Sequence, residues 1–345
     1  MKMRIRAALA VGVVGAMALA ACGGGSASEG GSGDGSGSST KLSIVGFAVP
    51  KSANDAAQAA FAKTPEGKGT SWKKSYGPSG DQARAVIAGL KADYVHLSLE
   101  GDVQKLADEG IVAKDWKDGP NKGIVSRSVV VIAVRKGNPE KIKGWDDIVK
   151  GDIEIVTPNP GSSGSARWNI LAAYGHVLAQ GGSEADAKAY LTKFFEHVVA
   201  LPGGGRDATT AFTGGTGDVL ISYENEAILA RQSGEDFDYI VPDQTLLIEN
   251  PGAVTVDSSP KAQAYLDFVL SKAGQTEFVK KGFRPLVDGI DVEVEGANDP
   301  SDPFPTPKDL LTIDGDFGGW KAAGDKFFDE EKGLVPAIQK ATGKS

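Results

Sequence analysis

Thr157-Pro158-Asn159-Pro160-Gly161-Ser162-Ser163-Gly164-Ser165-Ala166-Arg167-Trp168-Asn169-Ile170-Leu171-Ala172-Ala173 joins an extended segment, Asp152 to Val156, to a long helix from about Gly164 to Gln180. Strand, turn of small residues and helix together make the repeating half of a βαβ unit. The turn also carries chemistry. Small residues let the backbone approach a ligand closely, and the first N–H groups of a helix have no partner within it. Such ends attract anions, helped by the helix dipole.

Outward from this segment the alternation continues. Upstream, Leu42 to Phe47 reads as a first strand, Ala53 to Ala62 as a helix, and Ser79-Gly80 opens a second helix through Leu90. Tyr94 to Leu99 is a short strand, and Val129 to Val134 is an unbroken β-branched and apolar run, the pattern of a strand buried on both faces. Downstream come a helix from Glu184 to Phe195, a turn from Pro202 to Gly205 and a strand from Val219 to Tyr223. An extended stretch within Asp243 to Asp257 leads to helices Lys261 to Ala273 and Gly274 to Lys281 and a helical C-terminus. The fold class is α/β, with helices on both faces of mainly parallel strands.

Two further turns resemble the first in composition: Gly77-Pro78-Ser79-Gly80 and Gly203-Gly204-Gly205-Arg206-Asp207. A Ser before a helix often serves only as an N-cap. Three such turns on one α/β chain suggest more, because ligands of open parallel sheets sit beyond the carboxyl ends of the strands.

The ends and the composition bound the function. Met1 to Arg6 is basic, an Ala/Gly/Val-rich run follows, and Leu19-Ala20-Ala21-Cys22 closes it, which reads as a signal peptide over 1–21. Leu-Ala-Ala-Cys resembles the bacterial lipobox, so Cys22, the sole Cys, is expected to carry a lipid. That leaves no disulfide and no Cys-based metal site. Residues 22–40 are almost all Gly and Ser, a tether that as a random coil reaches about 20–25 Å. Taking Lys2, Arg4 and Arg6 from the 37 basic residues leaves 34 against 45 acidic ones, a net charge of −11 that argues against nucleic acid and anionic lipid as partners.

The segment 157–173 becomes specific in its order of Asn-Pro, Ser-Gly-Ser and Ala-Arg-Trp-Asn, and it resembles the signature of the sulfate-binding proteins of sulfate/thiosulfate ABC transporters. The likeness continues through Ser79 to Ala83, Lys136 to Pro139, Gly217 to Ala227 and Phe317 to Trp320. It implies a two-lobed periplasmic-binding-protein fold of Venus-flytrap type, with mixed, mainly parallel sheets. One lobe would comprise 41–127 plus 251–345 and the other 128–250, with hinges near Ser128–Val134 and Leu247–Val256. A monomer with no cofactor and no metal would hold a dehydrated sulfate or thiosulfate between the lobes and deliver it to a membrane permease. Phosphate or molybdate is the alternative ligand.

In that family the anion is held without a cationic side chain, by backbone N–H groups, one Ser hydroxyl and one indole N–H. Carried over, these become Ser79, Ser163 (hydroxyl), Gly164, Ser165 and Gly205. Arg167 and Arg206 either polarise those peptide units from behind or form salt bridges. Two departures stand out. Tyr223 replaces the indole donor, with a different reach, and the N-terminal donor falls on Val49 or Pro50, of which only Val49 has an N–H. Catalysis is the rival class. His96, His176 and His197 are the only His residues and show no metal-ligand spacing, and the chain has no Gly-x-Ser-x-Gly elbow.

Overall fold

A computed structural model describes residues 39–344. The expected signal peptide, Cys22 and nearly all of the expected Gly/Ser tether lie outside the described residues. The first strand, β1 (Thr40–Phe47), buries Leu42, Ile44, Val45 and Phe47, and helix α1 (Lys51–Phe61) follows. Next come β2 (Thr70–Gly77), α2 (Ser79–Ile87), β3 (Tyr94–His96), α3 (Glu100–Asp108) and the long β4 (Ile124–Arg135). The middle of the chain supplies β5 (Ile155–Val156), α4 (Gly164–Ala179), α5 (Glu184–His197), β6 (Val198–Ala200), α6 (Gly205–Thr213), β7 (Val219–Tyr223), α7 (Glu224–Gln232) and β8 (Phe237–Ile240). The long β9 (Gln244–Val254), α8 (Pro260–Leu270), α9 (Lys272–Val279), β10 (Asp309–Leu311), α10 (Ile313–Asp316), α11 (Gly319–Ala323), a π-helical turn (Gly324–Phe328) and α12 (Leu334–Thr342) complete it.

The strands run in the order β2-β1-β3-β9-β4-β7-β5-β6, with β10 on β9 and β8 on β4. Pairings within β2-β1-β3 and within β7-β5-β6 are parallel, while β4 and β9 run antiparallel to their main neighbours. The mixed sheet therefore has parallel wings joined by two antiparallel strands. β4 pairs with β9 from Ile124 to Val129 and then passes to β7 from Val130 to Val134. In turn, β9 pairs with β4 from Leu247 to Pro251 and passes to β3 at Gly252. Both handovers fall inside Ser128–Val134 and Leu247–Val256, the segments that the resemblance gives as hinges.

Helices cover both faces. On the β1 wing, Val45, Val95, Ala83, Val86, Val103 and Leu106 pack as one cluster with α2 and α3. Across the sheet, Ile44, Ala57, Phe61, Tyr265 and Phe278 join the largest cluster through α1, α8 and α9. That cluster continues into α4 and α5, whose Trp168, Ile170, Tyr174, Leu191, Phe194 and Phe195 are buried. Helix α4 is buried nearly all round from Gly164 to His176, which suits a helix held between the sheet and outer helices.

Candidate functional site

The three Gly/Ser turns meet. A Cβ placed on Gly80, near the start of α2, would lie 3.3 Å from the Ser162 carbonyl oxygen ahead of α4. Ser162 Oγ donates to the Gly203 carbonyl at 2.8 Å, tying the turn before α4 to the turn before α6. A Cβ on Gly205 would fall 2.9 Å from Ser165 Oγ and 3.1 Å from Val49 Cγ2, and one on Gly164 would fall 2.6 Å from Ser98 Cβ. Glycine at both places is a requirement of close approach. The N-termini of α2, α4 and α6 are thereby gathered with Val49, the residue that follows β1 by two.

None of these three helices has a side-chain cap. Ser163 is the N-cap residue of α4 but closes no bond on its own helix, although it is only 3% exposed. Ser79 is the first residue of α2, not its cap, and its hydroxyl donates to Asp102 Oδ2 at 2.8 Å. The first-turn amides of Gly164 and Ser165 have no partner within α4. Ser79, Ser163, Ser165, Val49 and Tyr223 are all buried. Three uncapped helix starts thus lie together beside buried hydroxyls, and helix starts so gathered can stabilise an anion.

Tyr223 is the last residue of β7, and its Oη lies 2.9 Å from Ser98 Oγ. Burial pushes its pKa well above the usual phenol value, so the hydroxyl remains a neutral donor.

The two arginines are engaged by the protein itself. Arg206 donates twice to Glu226, at 2.9 and 2.6 Å, and reaches the Val49 carbonyl at 3.4 Å. Burial raises the Glu226 pKa and the Arg206 guanidinium opposes that rise. Arg167 donates to the Pro160 carbonyl at 3.3 Å and lies 4.9 Å above the Phe328 ring. Of the two readings open for Arg206, the ion pair is the one observed; Arg167 makes neither a salt bridge nor a direct contact with the turn amides among the described residues. Pro50 is the N-cap residue of α1, where its carbonyl accepts from Asn54 at 2.8 Å.

Sequence reasoning missed three residues. The Ser98 amide donates to Ser79 Oγ at 2.9 Å, and the Ser98 carbonyl accepts from Trp168 Nε1 at 3.1 Å and Asn250 Nδ2 at 3.0 Å. Asp102 anchors Ser79. The available signal for Ser98 was a Ser between Leu97 and Leu99 just beyond β3. Asn250 and Asp102 carry none, because their partners are distant in sequence. The histidines are dispersed: His96 between Asn54 and Ser126, His176 against Asp146, His197 on the Ile153 carbonyl. No cluster suited to a metal ion occurs among the described residues.

The profile described as "Bacterial extracellular solute-binding protein" matches residues 42–284. A sulfate-binding protein of Synechococcus elongatus is 39% identical over 312 residues, 87% of this chain and 87% of that protein. A thiosulfate-binding protein of Pseudomonas aeruginosa is 37% identical over 278 residues, 77% of this chain and 81% of that one. Among solved structures, the sulfate-binding protein SubI from Mycobacterium tuberculosis superposes with a TM-score of 0.78 at 41% identity, covering 84% of this chain and all of its own. These relatives are binding proteins, and the fold is that of periplasmic binding proteins. The chain belongs to the bacterial extracellular solute-binding protein family.

Proposed function

We propose that this protein captures sulfate or thiosulfate outside the cytoplasm and presents it to the membrane permease of an ABC importer. The observation that carries this reading is the meeting of the uncapped N-termini of α2, α4 and α6 beside the buried Ser79, Ser163, Ser165 and Tyr223. The donors would be Ser163 Oγ, Tyr223 Oη and amides of Val49, Ser79, Gly164, Ser165 and Gly205. Arg206, paired with Glu226, would help place Val49 through its bond to the Val49 carbonyl.

Sulfate fits such a donor set because it is fully ionised at neutral pH and needs no acceptor. Asp102, the carboxylate bonded to Ser79, is occupied by that hydroxyl and by Lys105 at 3.4 Å. Monohydrogen phosphate would bury an O–H without a partner, at a cost of roughly 1–3 kcal/mol. Calorimetry of the ligand-free protein against sulfate, thiosulfate, phosphate and molybdate tests this. Sulfate or thiosulfate should bind about 10–100-fold tighter than phosphate, and equal affinities would overturn the ligand assignment.

The body would be two lobes, 41–127 with 251–345 and 128–250, hinged where β4 and β9 change partners. It would act as a monomer, processed after residue 21 and held to the membrane through a lipid on Cys22. The cleavage motif and the Gly/Ser run support that anchor. Cys22→Ala should move the protein from the membrane fraction to the soluble one without loss of ligand affinity. Retention in the membrane would refute the anchor.

A further inference from the structure

Ser98 lies just beyond β3 and is fully buried, yet each of its polar atoms is engaged. Its amide holds Ser79 Oγ, its carbonyl receives Trp168 Nε1 of α4 and Asn250 Nδ2 of β9, and its hydroxyl meets Tyr223 Oη at 2.9 Å. Its Cβ stands where Gly164 leaves no room for a side chain. One residue therefore touches all the elements that bear candidate donors except α6 and Val49.

We propose that Ser98 is a positioning residue for anion capture, its hydroxyl fixing the Tyr223 hydroxyl so that the pair presents a single directed O–H to the ligand. The inference rests on the anion-binding reading above and deepens it. Two hydroxyls joined by one hydrogen bond use one proton between them and keep one free. The phenol is the stronger donor, and a hydrogen bond to an anion is stronger than one between neutral groups. The free proton is therefore the phenol's, with Ser98 Oγ donating to Tyr223 Oη. Without Ser98 Oγ, the Tyr223 hydroxyl loses the one partner that sets its direction and can turn toward Ser165 or Asn250, whose side chains lie near its oxygen. The bond also joins the β3 side of the sheet to the β7 side across β9 and β4, so Tyr223 is set by a residue from the opposite wing.

Truncating Ser98 to Ala leaves its amide and carbonyl bonds in place and removes only the hydroxyl, which makes a double-mutant cycle clean. Sulfate calorimetry on the mature chain would compare wild type, Ser98→Ala, Tyr223→Phe and the double variant. Each single change should weaken sulfate by about tenfold, and the double variant should be within about twofold of Tyr223→Phe alone. Losses that multiply to about 100-fold, or a Ser98→Ala variant that binds like wild type, would overturn the proposal. If thermal melts show Ser98→Ala unfolded, Ser98→Cys, close in size and a weak donor, takes its place in the cycle with the same criteria. A wild type that binds neither sulfate nor thiosulfate would instead sink the functional reading. If it binds another oxyanion, the same cycle run with that anion still decides the role of Ser98.

Discussion

Helices α4 and α5 both follow a Ser, and the two serines do opposite things. Ser183, exposed, accepts from the Asp186 amide at 3.2 Å while its own amide donates to Asp186 Oδ2 at 2.9 Å, a complete capping box. Ser259 and Ser271 cap α8 and α9 in the same spirit. Ser163, buried, caps nothing, and neither α2 nor α6 is capped. A capped end satisfies its own amides and contributes stability. An uncapped end in the interior leaves polar groups that cost free energy unless something binds there. What sets α2, α4 and α6 apart is that their uncapped starts meet one another next to buried hydroxyls.

The largest effect should come from filling the close approach. Gly164→Ala would put a Cβ 2.6 Å from Ser98 Cβ and 2.7 Å from Ser98 Oγ, displacing the α4 amides from the site. Overpacking of this kind costs about 1–3 kcal/mol, and with the amides displaced sulfate affinity should drop by about 100-fold. Calorimetry reads the affinity and a thermal melt the fold; wild-type affinity would mean that the start of α4 is not at the site.

The two serines then give the sharpest contrast. Ser163→Ala should weaken sulfate by about 10–100-fold, the size of a hydrogen bond to a charged group, and leave the unliganded melting temperature nearly unchanged. Ser183→Ala should do the reverse, lowering stability by about 1 kcal/mol with affinity intact. Denaturant titrations and calorimetry on both variants separate the cases. If Ser163→Ala destabilises the free protein as Ser183→Ala does, the distinction between open and capped ends fails.

Much of this was legible in the sequence where local pattern and local structure agree. β7 is Val219–Tyr223 as the apolar run predicts, and α4 begins at Gly164 because a Gly/Ser turn ends there. Strand β2 was not legible: its Trp72 and Tyr76 alternate with Lys73 and Ser75 at the sheet's edge, so it lacks the apolar run of a central strand. Helix α7 was hidden because it starts at Glu224 directly from β7, with Tyr223 itself as the N-cap residue and no turn between. The antiparallel sense of β4 and β9 does not show in hydrophobic pattern, since a strand buried on both faces reads alike in either direction. The site divides in the same way. Most of its candidate donors lie in recognisable Gly/Ser turns, whereas Ser98, Asp102 and Asn250 act on partners 19 to 152 residues away.

The smallest expected effect concerns pH, and it tests whether the open helix ends work alone. Amides and aliphatic hydroxyls do not titrate near neutrality, and Tyr223 is pushed further from it by burial. The buried titratable ring nearest the donors in sequence is His96, two residues before Ser98, held between Asn54 Oδ1 at 3.2 Å and Ser126 Oγ at 3.1 Å. Burial lowers its pKa from 6.5 to about 3, so it stays neutral in the folded protein. Sulfate affinity should therefore change by less than about twofold between pH 6 and 8, where one ligand-linked proton would change it about tenfold per pH unit. Stability should behave differently. The unfolded chain protonates His96 below about 6.5 and the folded one does not, so the stability due to neutral His96 is complete above that pH and falls as pH drops toward about 3. Its share of the loss approaches about tenfold in the folding equilibrium per pH unit, and His96→Gln should flatten that part of the acid limb. Calorimetry from pH 6 to 8 and urea titrations from pH 7 to 4 measure the two quantities separately. An affinity that follows a group titrating near 6.5 would place an ionisable side chain among the donors and break the contrast between helix ends that hold charge by amides and those that cap themselves.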